Sequence, residues 1–152
     1  MRGSARRAAG ERAPGTSLRS RCELVLLGRV DEARGSLCVA EFPRHVPFEI
    51  KRAYWVFDVP PGHERAHHAL REQHEFLIAL RGAFTIHCDD GRVRSVHRLD
   101  SPTRALLLPE LVWHHLGDFS DGAVCLALAS GPYDAAEYVY DYDEFRELVR
   151  RR

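Results

Sequence analysis

From Cys22 onward the chain alternates short apolar runs with turn-forming residues. The runs cover 23–27, 36–41, 53–59, 75–80, 84–88, 93–99, 105–108 and 124–129, and each is four to eight residues long. Between them stand Arg34-Gly35, Pro60-Pro61-Gly62, Arg81-Gly82, Asp89-Asp90-Gly91, Ser101-Pro102, Pro109-Glu110 and Ser120-Asp121-Gly122. Runs of this length, rich in Val, Ile, Phe and Tyr and separated by Gly, Pro and Asp, predict an all-β sandwich or barrel. Asp90-Gly91 predicts a hairpin between 84–88 and 93–99, because a tight primed turn needs residues that tolerate positive φ. Only the C-terminal end has helical character. Residues 135–138 and 143–152 carry acids first and arginines last, which suits the helix dipole.

Charge divides the 152 residues into two parts. The chain is neutral overall, with 22 basic and 22 acidic side chains, yet residues 1–21 hold six arginines against Glu11 alone. That stretch is rich in Ala, Gly and Ser and has little to bury, so it reads as a disordered basic leader before a single domain at 22–152. Overall neutrality argues against a nucleic-acid partner, and no apolar run is long enough to cross a membrane as a helix. Cys22, Cys38, Cys88 and Cys125 form no CxxC pair. They read as buried or idle thiols of a cytoplasmic protein.

Histidine changes the picture. Eight of the nine lie between positions 63 and 115, and imidazole is both a metal ligand and an acid/base near neutral pH. Gly62, His68, Glu75 and Gly82 have the spacing of the first cupin motif: glycine, five residues, HxH, four residues, glutamate, six residues, glycine. Pro109 and His114 match the proline and histidine of the second motif, PxGxxH, with Leu111 at its glycine. Leu70 stands at the second histidine of HxH. In a jelly roll these segments lie on neighbouring strands, which would bring His68, Glu75 and His114 together. His67 and His115 should face the other way, by strand alternation.

A narrower resemblance rests on segments in fixed order: 34–37 (RGSL), 46–58 (VPFEIKRAYWVFD), 99–102 (LDSP), Trp113-His114, 118–120 (DFS), 126–130 and 142–145 (YDEF). Together they resemble the nucleotide-linked 4-keto-6-deoxyhexose 3,4-ketoisomerases, the WxcM-like branch of the cupins. The resemblance runs from about Val25 to Phe145. It implies a cupin jelly roll, a homodimer, no cofactor, and a dTDP-linked ketosugar whose keto group moves from C4 to C3 in deoxysugar or antibiotic assembly. The family's reactive segment, RGxHAH, is here Arg65-Ala66-His67-His68-Ala69-Leu70. Glu75 also departs, since glutamine is usual there.

Shifting a ketone to its neighbour takes a proton from C3 and returns one to C4 through an enediolate, which asks for a positioned general base. His68 is the candidate base, with Arg65 and Glu75 the other catalytic candidates. The developing oxyanion needs a donor, and Arg52, Arg65 or Tyr54 can supply one. Arg52, Tyr54, Arg65, Trp113 and His114 are the candidate substrate-binding residues, the arginines also suiting a diphosphate. A second reading uses His68, Glu75 and His114 as a two-histidine, one-carboxylate site for Fe, Mn, Ni or Zn, acting on a different small molecule. A third is a sugar-nucleotide-binding module weakened by the loss of the second histidine at Leu70.

Overall fold

A computed structural model describes residues 20–152; the leader expected at 1–21 lies almost wholly outside them. Twelve strands follow in order: β1 Glu23–Leu26, β2 Arg29–Glu32, β3 Gly35–Cys38, β4 Arg52–Val56, β5 Arg65–Leu70, β6 Glu75–Arg81, β7 Phe84–Asp89, β8 Arg94–Leu99, β9 Arg104–Leu108, β10 Trp113–Gly117, β11 Val124–Ala129 and β12 Tyr138–Val139. A 3-10 turn at Ala135–Glu137 and one helix, α1 Tyr142–Arg150, complete them. Two five-stranded antiparallel sheets form the body, in the orders β1-β9-β6-β11-β4 and β12-β5-β10-β7-β8, while β2 and β3 pair only with each other. This is the all-β architecture that the turn spacing predicts, in the jelly-roll form that the resemblance implies.

The two sheets differ in how much they bury, and the sequence pattern follows. Leu77 and Ala79 of β6 pack with Phe84 and Ile86 of β7, Leu106 and Leu108 of β9 and Ala127 of β11 in the core between the sheets. The other face of β6, Phe76 and Ile78, is covered by Val46 and Phe48 from the loop after β3. Buried on both faces, β6 therefore reads as a continuous apolar run. By contrast β8 alternates, with Arg94, Val96 and Arg98 exposed, as expected of a strand with one wet face.

The Asp90-Gly91 turn forms as predicted, Gly91 taking φ +86 between β7 and β8. At Gly82, φ is +65 and a Cβ would stand 2.9 Å from Ala123 Cα. Only glycine fits there without backbone movement. Helix α1 starts one residue before the expected boundary, capped by Asp141, whose carboxylate accepts from the Glu144 amide at 2.9 Å. Phe145 anchors it against Ala69 and Val139 on the outer face of the second sheet. The 3-10 turn is too short to be the helix expected over 135–138. Strands β2, β5, β10 and β12 are absent from the apolar-run pattern, because polar and aromatic side chains occupy them.

Candidate active site

The site begins with an irregularity in β5. Ala66 and His67 both have positive φ, +72 and +60, and the β5–β10 register slips there, pairing His68 with His114 but Ala66 with His115. One extra residue on β5 is a bulge, which re-aims neighbouring side chains. Arg65, Ala66 and His68 all line a cavity of about 280 Å³ between the sheets, with Arg52 and Tyr54 of β4, His114 of β10 and Tyr138 of β12. His67 stays outside. It stacks on His115, and His115 on His87, with ring centroids 4.7 and 4.5 Å apart.

Glu75, the first residue of β6, is 1% exposed and His114 is 3% exposed. The Tyr54 hydroxyl donates to Glu75 Oε1 at 2.5 Å, and Glu75 Oε2 lies 3.5 Å from His114 Nε2. His114 Nδ1 lies 3.2 Å from the Val112 carbonyl. A carbonyl can only accept, so Nδ1 carries the hydrogen. The Nε2 of a neutral ring is then bare and faces Glu75 Oε2. Both shifts agree with this arrangement. Burial raises the Glu75 carboxyl above its usual range and holds His114 down to about 4.

His68 is likewise held down to about 4, first by burial and then by its neighbour His114. Its ring lies edge-on to His114 and to Tyr138, each 4.9 Å away. His68 Nε2, Glu75 Oε2 and Arg52 Nε are buried without a hydrogen-bond partner among the described residues. Buried polar atoms are rarely left so, and three around one cavity mark it as built to receive a polar ligand. The Arg52 guanidinium stands at its mouth, 5.4 Å from the Tyr54 ring centre, and donates to the Tyr138 hydroxyl at 3.3 Å.

The ligand atoms of His68, Glu75 and His114 lie within 4.8 Å of one another. Two imidazoles and a carboxyl at this spacing fit a divalent transition ion, which would cost the Glu75 proton.

Most predicted site residues converge here, and one expectation needs correction. Trp113 does not line the cavity. It neighbours His114 in sequence, so alternation turns it outward against Tyr142 and Phe145, at 5.3 and 5.8 Å between ring centroids. Glu75 pairs with neither Arg65 nor Arg71, the latter bonding to Glu144 instead. Tyr133 and Tyr138, which follow β11, also line the cavity. Pairing of β12 with β5 sets Tyr138 beside Leu70, and no local pattern announces so short a strand. Leu70 itself is buried and outside the cavity lining.

The shifted groups make stability depend on pH. The depressed histidines bind fewer protons folded than unfolded between pH 6.5 and 4, so they cost stability as pH falls through that window. Glu75, raised above 4.5, works in the opposite sense and costs stability as pH rises. Two histidines against one carboxyl leave a net loss of stability as pH falls through that window. Glu75→Gln removes the opposing group and should make the loss steeper. Urea denaturation at stepped pH measures both slopes.

The family model described as FdtA, WxcM-like, C-terminal matches residues 20–150. The TDP-4-oxo-6-deoxy-alpha-D-glucose-3,4-oxoisomerase of Aneurinibacillus thermoaerophilus is 35% identical over 123 residues, 81% of this chain and 88% of that protein. Among solved structures, the WlaRB TDP-quinovose 3,4-ketoisomerase of Campylobacter jejuni is 37% identical with a TM-score of 0.82, covering 85% of this chain and 99% of its own. A mutant of the 3,4-ketoisomerase QdtA from Thermoanaerobacterium thermosaccharolyticum, solved with TDP-4-keto-6-deoxyglucose, is 28% identical with a TM-score of 0.85, covering 89% and 98%. With its jelly roll and the His68–His114 cavity, this chain belongs to the FdtA, WxcM-like family.

Proposed function

We propose that the protein is a sugar-nucleotide 3,4-ketoisomerase that moves the keto group of a dTDP-4-keto-6-deoxyhexose from C4 to C3. The observation that carries this reading is the unpartnered, buried Nε2 of His68 beside the Tyr54–Glu75 hydrogen bond and His114, whose Nε2 lies 3.5 Å from Glu75 Oε2, in a chain whose relatives are named for that reaction. His68 is uncharged at neutral pH and free to accept the C3 proton. The negative charge then spreads onto O4 of an enediolate, where Arg52 and the Tyr54 hydroxyl are the available donors. A proton delivered to C4, and transfer of the O3 proton to O4, complete a 3-ketone with no net gain or loss of atoms. His68 is assigned the return as well. Arg65 is assigned to the substrate's anionic part, where its fork suits phosphate oxygens.

The spacing of His68, Glu75 and His114 also supports the metal-dependent reading, in which those residues hold a divalent transition ion. When bound, that ion would act as a Lewis acid on a substrate oxygen. Incubation with dTDP-4-keto-6-deoxyglucose tests the proposal. Conversion to a 3-keto product, inhibited competitively by dTDP, is expected; dTDP binding without conversion would favour the weakened binding module.

We assign the protein to the cytoplasm, which suits the four free thiols, and to deoxysugar assembly, including that of antibiotics. It is assigned as a homodimer. Trp55 and Phe57, at and just beyond the edge strand β4, and Leu26, Val30 and Leu37 around the self-paired β2–β3 hairpin are all more than half exposed. A second copy would cover such apolar surface and open edges. Light scattering should give about twice the 17.3 kDa monomer mass; a monomeric mass would refute the assignment.

A further inference from the structure

A second cluster of ligand-type side chains lies one strand away from His114. Cys88 is the β7 partner of His114 across the ladder, and Ser95 of β8 is the next partner of Cys88. His97, two residues along β8 from Ser95, is partly buried, and its Nε2 is 2.9 Å from the Ser95 hydroxyl. Cys22 enters from the other sheet, just before its edge strand β1. The sulfurs of Cys22 and Cys88 and a ring nitrogen of His97 all lie within 4.8 Å of one another.

The segment that brings Cys22 is held in place. The Arg21 amide donates to Asp90 Oδ2 at 3.0 Å, and its guanidinium bonds Glu110 at 3.1 Å. Both cysteines are buried. Two buried thiols need no explanation beyond packing, but a half-buried imidazole turned toward them does.

We propose that Cys22, Cys88 and His97 form a binding site for a thiophilic divalent cation of the zinc type, clamping β1 of one sheet to the β7–β8 hairpin of the other. Tetrahedral bonds of about 2.0–2.3 Å put neighbouring ligand atoms roughly 3.3–3.8 Å apart. The three side chains need to close by about 1.5 Å at most. Asp90 is not the fourth ligand, because its carboxylate is occupied by the amides of Arg21, Arg92 and Val93. A water or the Ser95 hydroxyl takes that position. A bound cation would deprotonate both sulfurs. A Cys22–Cys88 disulfide would leave the imidazole without a role.

Cobalt(II) titration of the full chain, anaerobic and with a phosphine reductant, tests this without reference to turnover. Thiolate-to-cobalt charge-transfer absorption in the near ultraviolet should saturate at about one equivalent and disappear on adding zinc. Cys22→Ser should weaken binding by more than the roughly 10–100-fold that loss of an outer-shell partner costs. Cys38→Ser and Glu75→Gln should leave the band intact, which separates this cluster from His68, Glu75 and His114. Absence of the band in the unmodified protein would overturn the proposal, as would its persistence in Cys22→Ser. Formation of a Cys22–Cys88 disulfide with glutathione disulfide, in protein that binds no cobalt, would also overturn it.

Discussion

His68→Ala is expected to lower kcat on the ketosugar substrate by roughly 10²–10⁴-fold, the contribution of a positioned acid/base group, while changing KM far less. The effect is large because His68 Nε2 is buried at the cavity wall with no hydrogen-bond partner among the described residues. His114 is held by its Nδ1 on the Val112 carbonyl, with its Nε2 facing Glu75 Oε2 at 3.5 Å, so it is not turned to take over. His87→Ala is the matched control. Its ring stacks on His115 on the outer face, and its loss should leave kcat within about twofold, in line with ordinary surface substitutions. Equal losses in the two variants would mean that the cavity face of β5 has been assigned to the wrong residue. Matching melting temperatures separate chemistry from folding.

Glu75→Gln and Leu70→His form the second test, at the two positions where the chain leaves its relatives. If Glu75 acts as a neutral acid, glutamine is its close mimic. The amide oxygen still accepts from Tyr54, and the amide nitrogen takes the place of Oε2 facing His114 Nε2. Turnover should then fall by less than about tenfold, since hydrogen-bonding capacity is conserved. If Glu75 is instead the anionic ligand of a metal, the same change removes the only charge in the set. Bound metal and activity would then fall together, because a neutral amide is a poor ligand for such an ion. Leu70→His places a second imidazole two residues from His68, on the same face by alternation, beside Tyr138. It should preserve or raise turnover in the metal-free enzyme. Kinetics with metal analysis on the same preparations decides between the readings.

The parts of this architecture legible in the sequence are those where one local rule acts alone. The continuous run of β6, the alternation of β8 and the Asp90-Gly91 turn each follow from burial or backbone geometry within a few residues. Strands β5 and β10 escape the pattern for a functional reason: their inward positions carry His68 and His114 instead of apolar side chains. Motif spacing recovers them where hydropathy does not. Tyr138 is beyond both, because its place in the cavity depends on a two-residue strand pairing across almost seventy positions of chain. Trp113 neighbours a motif histidine, but strand alternation turns it outward against Tyr142 and Phe145. Motif spacing also brings Glu75 beside His68 and His114, but its upward shift comes from burial, which no spacing encodes.

The central claim is that the cavity moves a carbonyl between adjacent sugar carbons, and the most direct measurement follows one atom. With dTDP-4-keto-6-deoxyglucose labelled with carbon-13 at C4, chelator-treated protein should convert the labelled carbonyl resonance into that of a carbon bearing hydroxyl and hydrogen, with a new unlabelled ketone at C3. A label that stays in the carbonyl region at full enzyme load, while dTDP still binds, would contradict the account.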